Sequence, residues 1–406
     1  MKSEHSIDRR GFLKTAGATT AGALLLSPGS ALGAEANSKM QLGIIGCGGR
    51  GPWIGSLFQE TTNTKVVAVH DYFRDRAKAA GQRLDVEEKR QYVGIDGVNE
   101  LLNSGVDAVA IISPPYFHPD QVKAALAAGK HVYLAKPIAV DVPGCNAIVE
   151  AAKGAGGKLS VWVDFQTRVD PLFMEAANRI HNGDIGEPVI CQGYYHTGRL
   201  GIKTPPGTET ARLRNWVFDI ALSGDIIVEQ NVHVVDVVNW YLKGHPEKAI
   251  GTGGRRVRTD VGDCWDHFVV RYHYPNDVLV DFSSSQFAPG GFDDICIRLF
   301  GSKGMVESHY GGLVFLKNKE NPWQGGKTEQ IYRDGAVANM KLFCDSIANN
   351  APIDNSQEAA NSTLSSILGR MAAYENRMVT WDEMMAKNEK LDAHLSLPAD
   401  GPDSKT

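Results

Sequence analysis

At 406 residues the chain is too long for one ordinary hydrophobic core, so two domains are expected. Its 43% hydrophobic and 22% charged residues are those of a soluble globular protein, and no repeat or low-complexity tract interrupts them. A formal net charge of −5, with no basic block beyond the first dozen residues, argues against nucleic acid as a partner. No apolar run approaches the roughly 20 residues that span a bilayer.

Residues 1–36 read as an address. Asp8-Arg9-Arg10-Gly11-Phe12-Leu13-Lys14 resembles a twin-arginine export motif. A mildly apolar stretch follows, then small residues ending in Ala34-Glu35-Ala36. The expectation is a periplasmic or secreted protein, exported folded by the twin-arginine machinery with its cofactor already loaded.

Residues 42–45 have the length of a buried strand and break into Gly46-x-Gly48-x-x-Gly51, after which residues 52–59 can open a helix. Strand, glycine turn and helix in that order form a dinucleotide-binding fingerprint. Gly46 permits the tight turn, Gly48 lets backbone approach a pyrophosphate, and Gly51 lets helix and strand pack closely. Gly49 and Arg50 complete the loop, and the phosphates belong on the free N–H groups of the helix start. The next apolar run, 66–69, leads to Asp71, twenty residues past Gly51 and placed to bond an adenosine ribose. A carboxylate there repels a 2′-phosphate, so NAD is expected over NADP, although Arg74 or Arg76 offers a phosphate partner.

From there strands and helices alternate. A charged helix over 74–86, a short strand at 92–93 and a buried strand over 106–112 are expected, the last stopped by Ser113-Pro114-Pro115. A helix over 119–128 ends at Gly129, a strand at 131–134 runs into Ala135-Lys136-Pro137, and a helix over 143–153 precedes a sixth strand at 159–163. This is an α/β, doubly wound parallel Rossmann sheet over residues 40–165, with ligands at the carboxyl ends of its strands. Beyond it, strands over 264–274, 278–286 and 295–300, a hairpin turn at Asn276-Asp277, and helices over 224–242 and 358–378 imply a large sheet faced by a few helices. The six scattered cysteines read as small buried hydrophobes.

Several stretches match one family in order. They are the Gly46 loop, Ser113-Pro114-x-x-x-His118, Gly129-Lys130-His131-Val132 with Lys136-Pro137, Gly183-Asp184-Ile185-Gly186-Glu187-Pro188, and the helix around His233. Over roughly residues 40–385 the chain resembles the glucose–fructose oxidoreductase, inositol dehydrogenase and rhizopine-catabolism (Gfo/Idh/MocA) family. The resemblance implies a second α/β domain, residues 166–393, whose open mixed sheet carries the substrate and subunit contacts of a homo-oligomer. Residues 394–406 are left as a tail.

It also implies cofactor contacts from Ser113, Pro114 and His118, and a lysine, Lys136, beside the nicotinamide and the reacting hydroxyl. Ala135 departs from the family's Glu-Lys-Pro, and losing that carboxylate should depress the lysine pKa. The family's Asp-x-x-x-His appears as Glu229-x-x-x-His233, two residues that share a face of one continuous helix. A His and a carboxylate so placed also suit a metal, but no third ligand is evident and metal stays unassigned. Arg168, Tyr194, His196 and Asp236 are candidate substrate contacts, since aromatics and charged hydrogen-bonders suit polyol faces, as are Arg199, Trp216 and Asp219.

The expected function is an NAD(P)-dependent oxidoreductase acting on a sugar, polyol or glycoside hydroxyl. Outside the cytoplasm nothing regenerates free NAD, so the cofactor should be retained between turnovers. Two alternatives stand beside it: an NAD-dependent glycoside hydrolase working by transient oxidation and elimination, and a redox-inactive carbohydrate-binding protein.

Overall fold

The apolar runs of the first half become six parallel strands: β1 (Met40–Ile45), β2 (Thr64–Asp71), β3 (Gln91–Val93), β4 (Ala108–Ile111), β5 (His131–Leu134) and β6 (Val161–Val163). They lie in the order β3-β2-β1-β4-β5-β6, so the winding reverses between β1 and β4. The computed structural model describes residues 39–402, and the export-signal reading of residues 1–36 lies outside them. All four residues of β4 are out of solvent because helices cover both faces of the sheet, as a near-continuous apolar run requires.

The second half builds a nine-stranded mixed sheet from β7 (Pro188–Gly198), β8 (Lys248–Gly254), β9 (His267–His273), β10 (Leu279–Ala288), β11 (Asp294–Gly301), β12 (Gly304–His309), β13 (Leu313–Asn318), β14 (Trp323–Lys327) and β15 (Val379–Thr380). Its order is β14-β13-β12-β11-β7-β10-β9-β8-β15. β7 and β10 pair in parallel at its centre, and the other described pairings are antiparallel. Asn276 and Asp277 make the β9–β10 turn with φ of 60° and 59°, a conformation these residue types tolerate. Among the described residues all six cysteines are free, five of them buried, as expected of small hydrophobes.

Two features depart from the sequence reading. The pattern over 224–242 runs unbroken, yet the chain forms two helices, Ile226–Glu229 and Val232–Leu242, with Gln230 and Asn231 between them. Domain order along the chain is also crossed. The helix Ile331–Ala348 returns to the Rossmann sheet, where Phe343 meets Phe58 and Tyr133 edge-on at 6.4 and 5.7 Å. The parallel sheet therefore owes part of one covering layer to residues far beyond 165.

Candidate active site

At the carboxyl edge of β1 the backbone turns through Gly46 at φ +92°. A Cβ there would lie 2.6 Å from the Ser113 nitrogen, so the β1 and β4 loops touch at the winding reversal. At Gly51 a Cβ would meet the Gly46 carbonyl oxygen at 1.9 Å, which makes glycine obligatory for helix Arg50–Thr61 to start against the strand. Gly48 and Gly49 differ in kind. A Cβ on Gly48 has nothing nearer than Arg76 Nη1 at 3.9 Å, and one on Gly49 has nothing within 4 Å. These two line open space, the cradle a pyrophosphate needs.

A cavity of about 340 Å³ runs from Gly46 past Ser113 and Pro114 to Asp71, Phe73 and Phe117. The Asp71 carboxylate is fixed at its edge by backbone donors, accepting from Cys47 N–H at 2.7 Å and Phe73 N–H at 2.9 Å. Glycine cradle, helix start, apolar cavity and fixed carboxylate together fit a dinucleotide. His118 does not join them. Its ring is buried between the Pro137 and Ser113 carbonyls, 3.0 Å from Nδ1 and 2.8 Å from Nε2, and burial pushes its pKa down to about 4. Neutral near pH 7, it donates its one N–H to one of these carbonyls and fills the space between the β4 and β5 loops, a structural role in place of the expected cofactor contact.

Lys136 follows β5 at the same edge. Its ammonium donates to the Glu229 carbonyl at 2.6 Å and lies 3.6 Å from Glu229 Oε1. The helix break explains this bond, because Glu229 ends the short helix Ile226–Glu229 and its carbonyl is free to accept. A carboxylate absent at Ala135 is thus supplied from Glu229, across the domain junction. His233 opens the next helix. It therefore reaches the site from a separate helix, and the expectation of a shared helical face with Glu229 fails. Its ring stands edge-on to Phe165 at 6.2 Å and tilted to Tyr310 at 5.7 Å, with Nδ1 out of solvent and unpartnered. Burial, then the positive charges of Lys136 and Arg50, hold its pKa well below the usual histidine value, so the ring is neutral near pH 7.

Sequence reasoning missed Tyr195 and Tyr310 here. Burial pushes both phenols up, and the Glu229 carboxylate adds to this at Tyr195. Residue type alone does not say that Tyr195, and not Tyr194, faces inward. Tyr194 and His196, chosen instead, lie on the outer face, where His196 bonds Ser285 and Ser283 at 2.9 and 3.2 Å. Gly193, in register with Tyr195, packs on Val234 of the helix that carries His233. The sheet therefore separates Tyr194 and His196 from Lys136 and His233.

Three further candidates prove committed elsewhere. Arg50 pairs with the buried Asp164 at 2.5 Å and donates to the Tyr332 hydroxyl at 2.8 Å. Arg168 and Asp236 bind each other as a fork, Nε to Oδ2 and Nη2 to Oδ1 both at 2.8 Å, with Ser362 adding a third bond to Asp236. Both Asp236 carboxylate oxygens are taken up by these bonds. Replacing Asp236 with alanine strands a largely buried guanidinium and is expected to cost about 3–5 kcal/mol in denaturant unfolding. The KM of the folded enzyme should hold. A raised KM at unchanged stability would return Asp236 to the substrate site.

Among the described residues one cluster has metal-ligand chemistry, Cys296, Glu307 and His309 on the outer face of the large sheet. Arg298 already binds Glu307 at 2.5 Å, so a cation arriving there meets a guanidinium first. It lies across the sheet from Lys136 and has no part in the site.

Comparison with known proteins follows the same division. Residues 40–163 match the family described as "Oxidoreductase family, NAD-binding Rossmann fold", and residues 173–307 match the GFO/IDH/MocA C-terminal domain. An inositol 2-dehydrogenase of Acidothermus cellulolyticus is 30% identical over 269 residues, 66% of this chain and 72% of that protein. The NAD(H)- and scyllo-inositol-bound scyllo-inositol dehydrogenase of Lactobacillus casei superposes with a TM-score of 0.68 at 19% identity, over 85% of this chain and 99% of that one. A levoglucosan dehydrogenase in complex with NADH and levoglucosan gives a TM-score of 0.70 at 16% identity, covering 84% and 99%.

Proposed function

The chain belongs to the GFO/IDH/MocA family of oxidoreductases, and from that premise we propose that Lys136 and His233 are the proton-handling pair with which it oxidises a hydroxyl of a polyol or sugar. The observation that carries this is that Lys136, at the strand edge that holds the glycine loop, bonds the Glu229 carbonyl four residues before His233, and that its positive charge acts on the buried His233 ring. NAD is the cofactor, bound by Gly46, Gly48, Gly49, Gly51, Asp71, Ser113 and Pro114, and when bound it supplies the hydride acceptor.

The chain's own residues handle the proton and the charge. As a carbinol carbon gains carbonyl character its hydroxyl must lose a proton, and neutral His233 is in the form that accepts it. The Lys136 ammonium offers a donor to the oxygen, where negative charge develops. Glu229 sits against that ammonium and fixes where it points. The test is NADH formation when protein, NAD and a panel of inositols, aldoses and glycosides are mixed. Absorbance change with at least one member supports the reading, and carbohydrate binding without any would replace it with a redox-inactive binder.

The twin arginines Arg9-Arg10 and their flanks support export by the twin-arginine pathway to the periplasm or medium. The outer face of the large sheet leaves Ile190, Ile250, Val269 and Phe287 between 39% and 50% exposed, which supports a homo-oligomer built on that face.

A further inference from the structure

The last described stretch of the chain, residues 388–402, forms no helix or strand, and from residue 394 on it reads from sequence as a tail, yet it is tied down along its length. Leu391 N–H donates to Asp141 Oδ2 at 2.9 Å, and the Ala393 carbonyl accepts from Arg212 at 3.2 Å. Ser396 N–H donates to Glu209 Oε1 at 2.6 Å. The Ala399 carbonyl then accepts from Ile95 N–H at 2.7 Å, with Asp96 N–H at 3.4 Å. Leu391, Leu395 and Leu397 pack on a small apolar cluster that holds Phe73, Leu213 and Leu222.

The contact with the 94–96 loop is close on both sides. A Cβ on Gly94 would sit 2.3 Å from the Ala399 oxygen, and one on Gly401 would sit 3.0 Å from the Tyr72 oxygen. That loop follows β3 and is held from behind by His70, whose Nε2 lies 2.6 Å from the Gly94 carbonyl. Leu397 itself forms part of the wall of the 340 Å³ cavity, together with Asp71 and Phe73.

We propose that residues 391–401 are a strap that closes the adenosine end of the cofactor cavity and sets how fast the dinucleotide leaves. This rests on the reading of the cavity as the NAD site. The placement suits retention. Adenosine takes no part in the chemistry, so a wall built there holds the cofactor without constraining Lys136 or His233. Release then requires the Ala399, Ser396 and Leu391 bonds to open together.

The experiment loads the full-length protein with NAD labelled in the adenine, chases with excess unlabelled NAD, and follows the loss of label. Leu397→Glu, which places a charge in the wall, and a chain ending at Lys390 are expected to release label at least tenfold faster than wild type. Glu209→Ala removes one anchor and should show a smaller acceleration, with turnover at saturating NAD held and the KM for NAD raised. Melting temperature is read for each variant, and if the shortened chain does not fold the two point variants decide. Release at the wild-type rate from folded Leu397→Glu and Glu209→Ala would overturn the strap. Wild type that takes up no labelled NAD would instead overturn the dinucleotide reading beneath it.

Discussion

Alanine at Lys136 or at His233 is expected to lower turnover by roughly 10²–10⁴-fold each, the usual weight of a positioned acid or base. The reason lies in the geometry at the domain junction. Lys136 holds its ammonium between the Glu229 carbonyl and carboxylate, and its charge helps keep His233 neutral. Lys136 therefore conditions His233, and the double variant should lose less than the product of the two single losses. Both variants should still bind NAD, because the glycine loop and Asp71 lie outside their contacts. Steady-state kinetics with a bound-nucleotide assay checks all three points. Wild-type turnover in either single variant would remove that residue from the chemistry.

Valine at Gly48 is expected to abolish NAD binding and leave the fold intact, whereas valine at Gly51 should prevent folding. The two glycines look alike in sequence, three residues apart. In space a Cβ on Gly51 strikes the Gly46 carbonyl at 1.9 Å, while one on Gly48 enters the open cradle. A bulky Gly48 side chain thus costs the backbone little and takes the volume the phosphates need. Melting curves and nucleotide content separate the cases. A folded Gly48→Val protein carrying a full complement of NAD would place the phosphates elsewhere.

Much of this was legible from residue order. The strands from β1 to β6 followed from short apolar runs punctuated by glycine and proline, and the cofactor edge followed from where those runs stop. Signals that fail are those settled by tertiary contact. Helical periodicity ran through Gln230 and Asn231, so the break that frees the Glu229 carbonyl left no trace in the pattern. Residue type does not separate Tyr194 from Tyr195, and the helix packed on Gly193 decides which is inner. Arg168 and Asp236 are 68 residues apart, and no local rule predicts that they consume each other. The family match for His118 identified a residue that matters, but its burial between two carbonyls gives it a structural role. The strap did leave a signal: leucines at 391, 395 and 397 in an otherwise polar end are hard to explain in a free tail.

Hydride transfer from a carbinol carbon is the claim on which the rest depends, and isotope labelling reads it directly. Wild-type protein is mixed with NAD and with inositols and sugars deuterated at their carbinol carbons, quenched during turnover, and the nicotinamide is analysed by mass. Oxidation of a hydroxyl at the Lys136–His233 edge predicts deuterium on the nicotinamide with at least one substrate, and none with the Lys136→Ala protein beyond its residual rate. Carbohydrate bound at the site with no deuterium reaching the nicotinamide from any of them would contradict it.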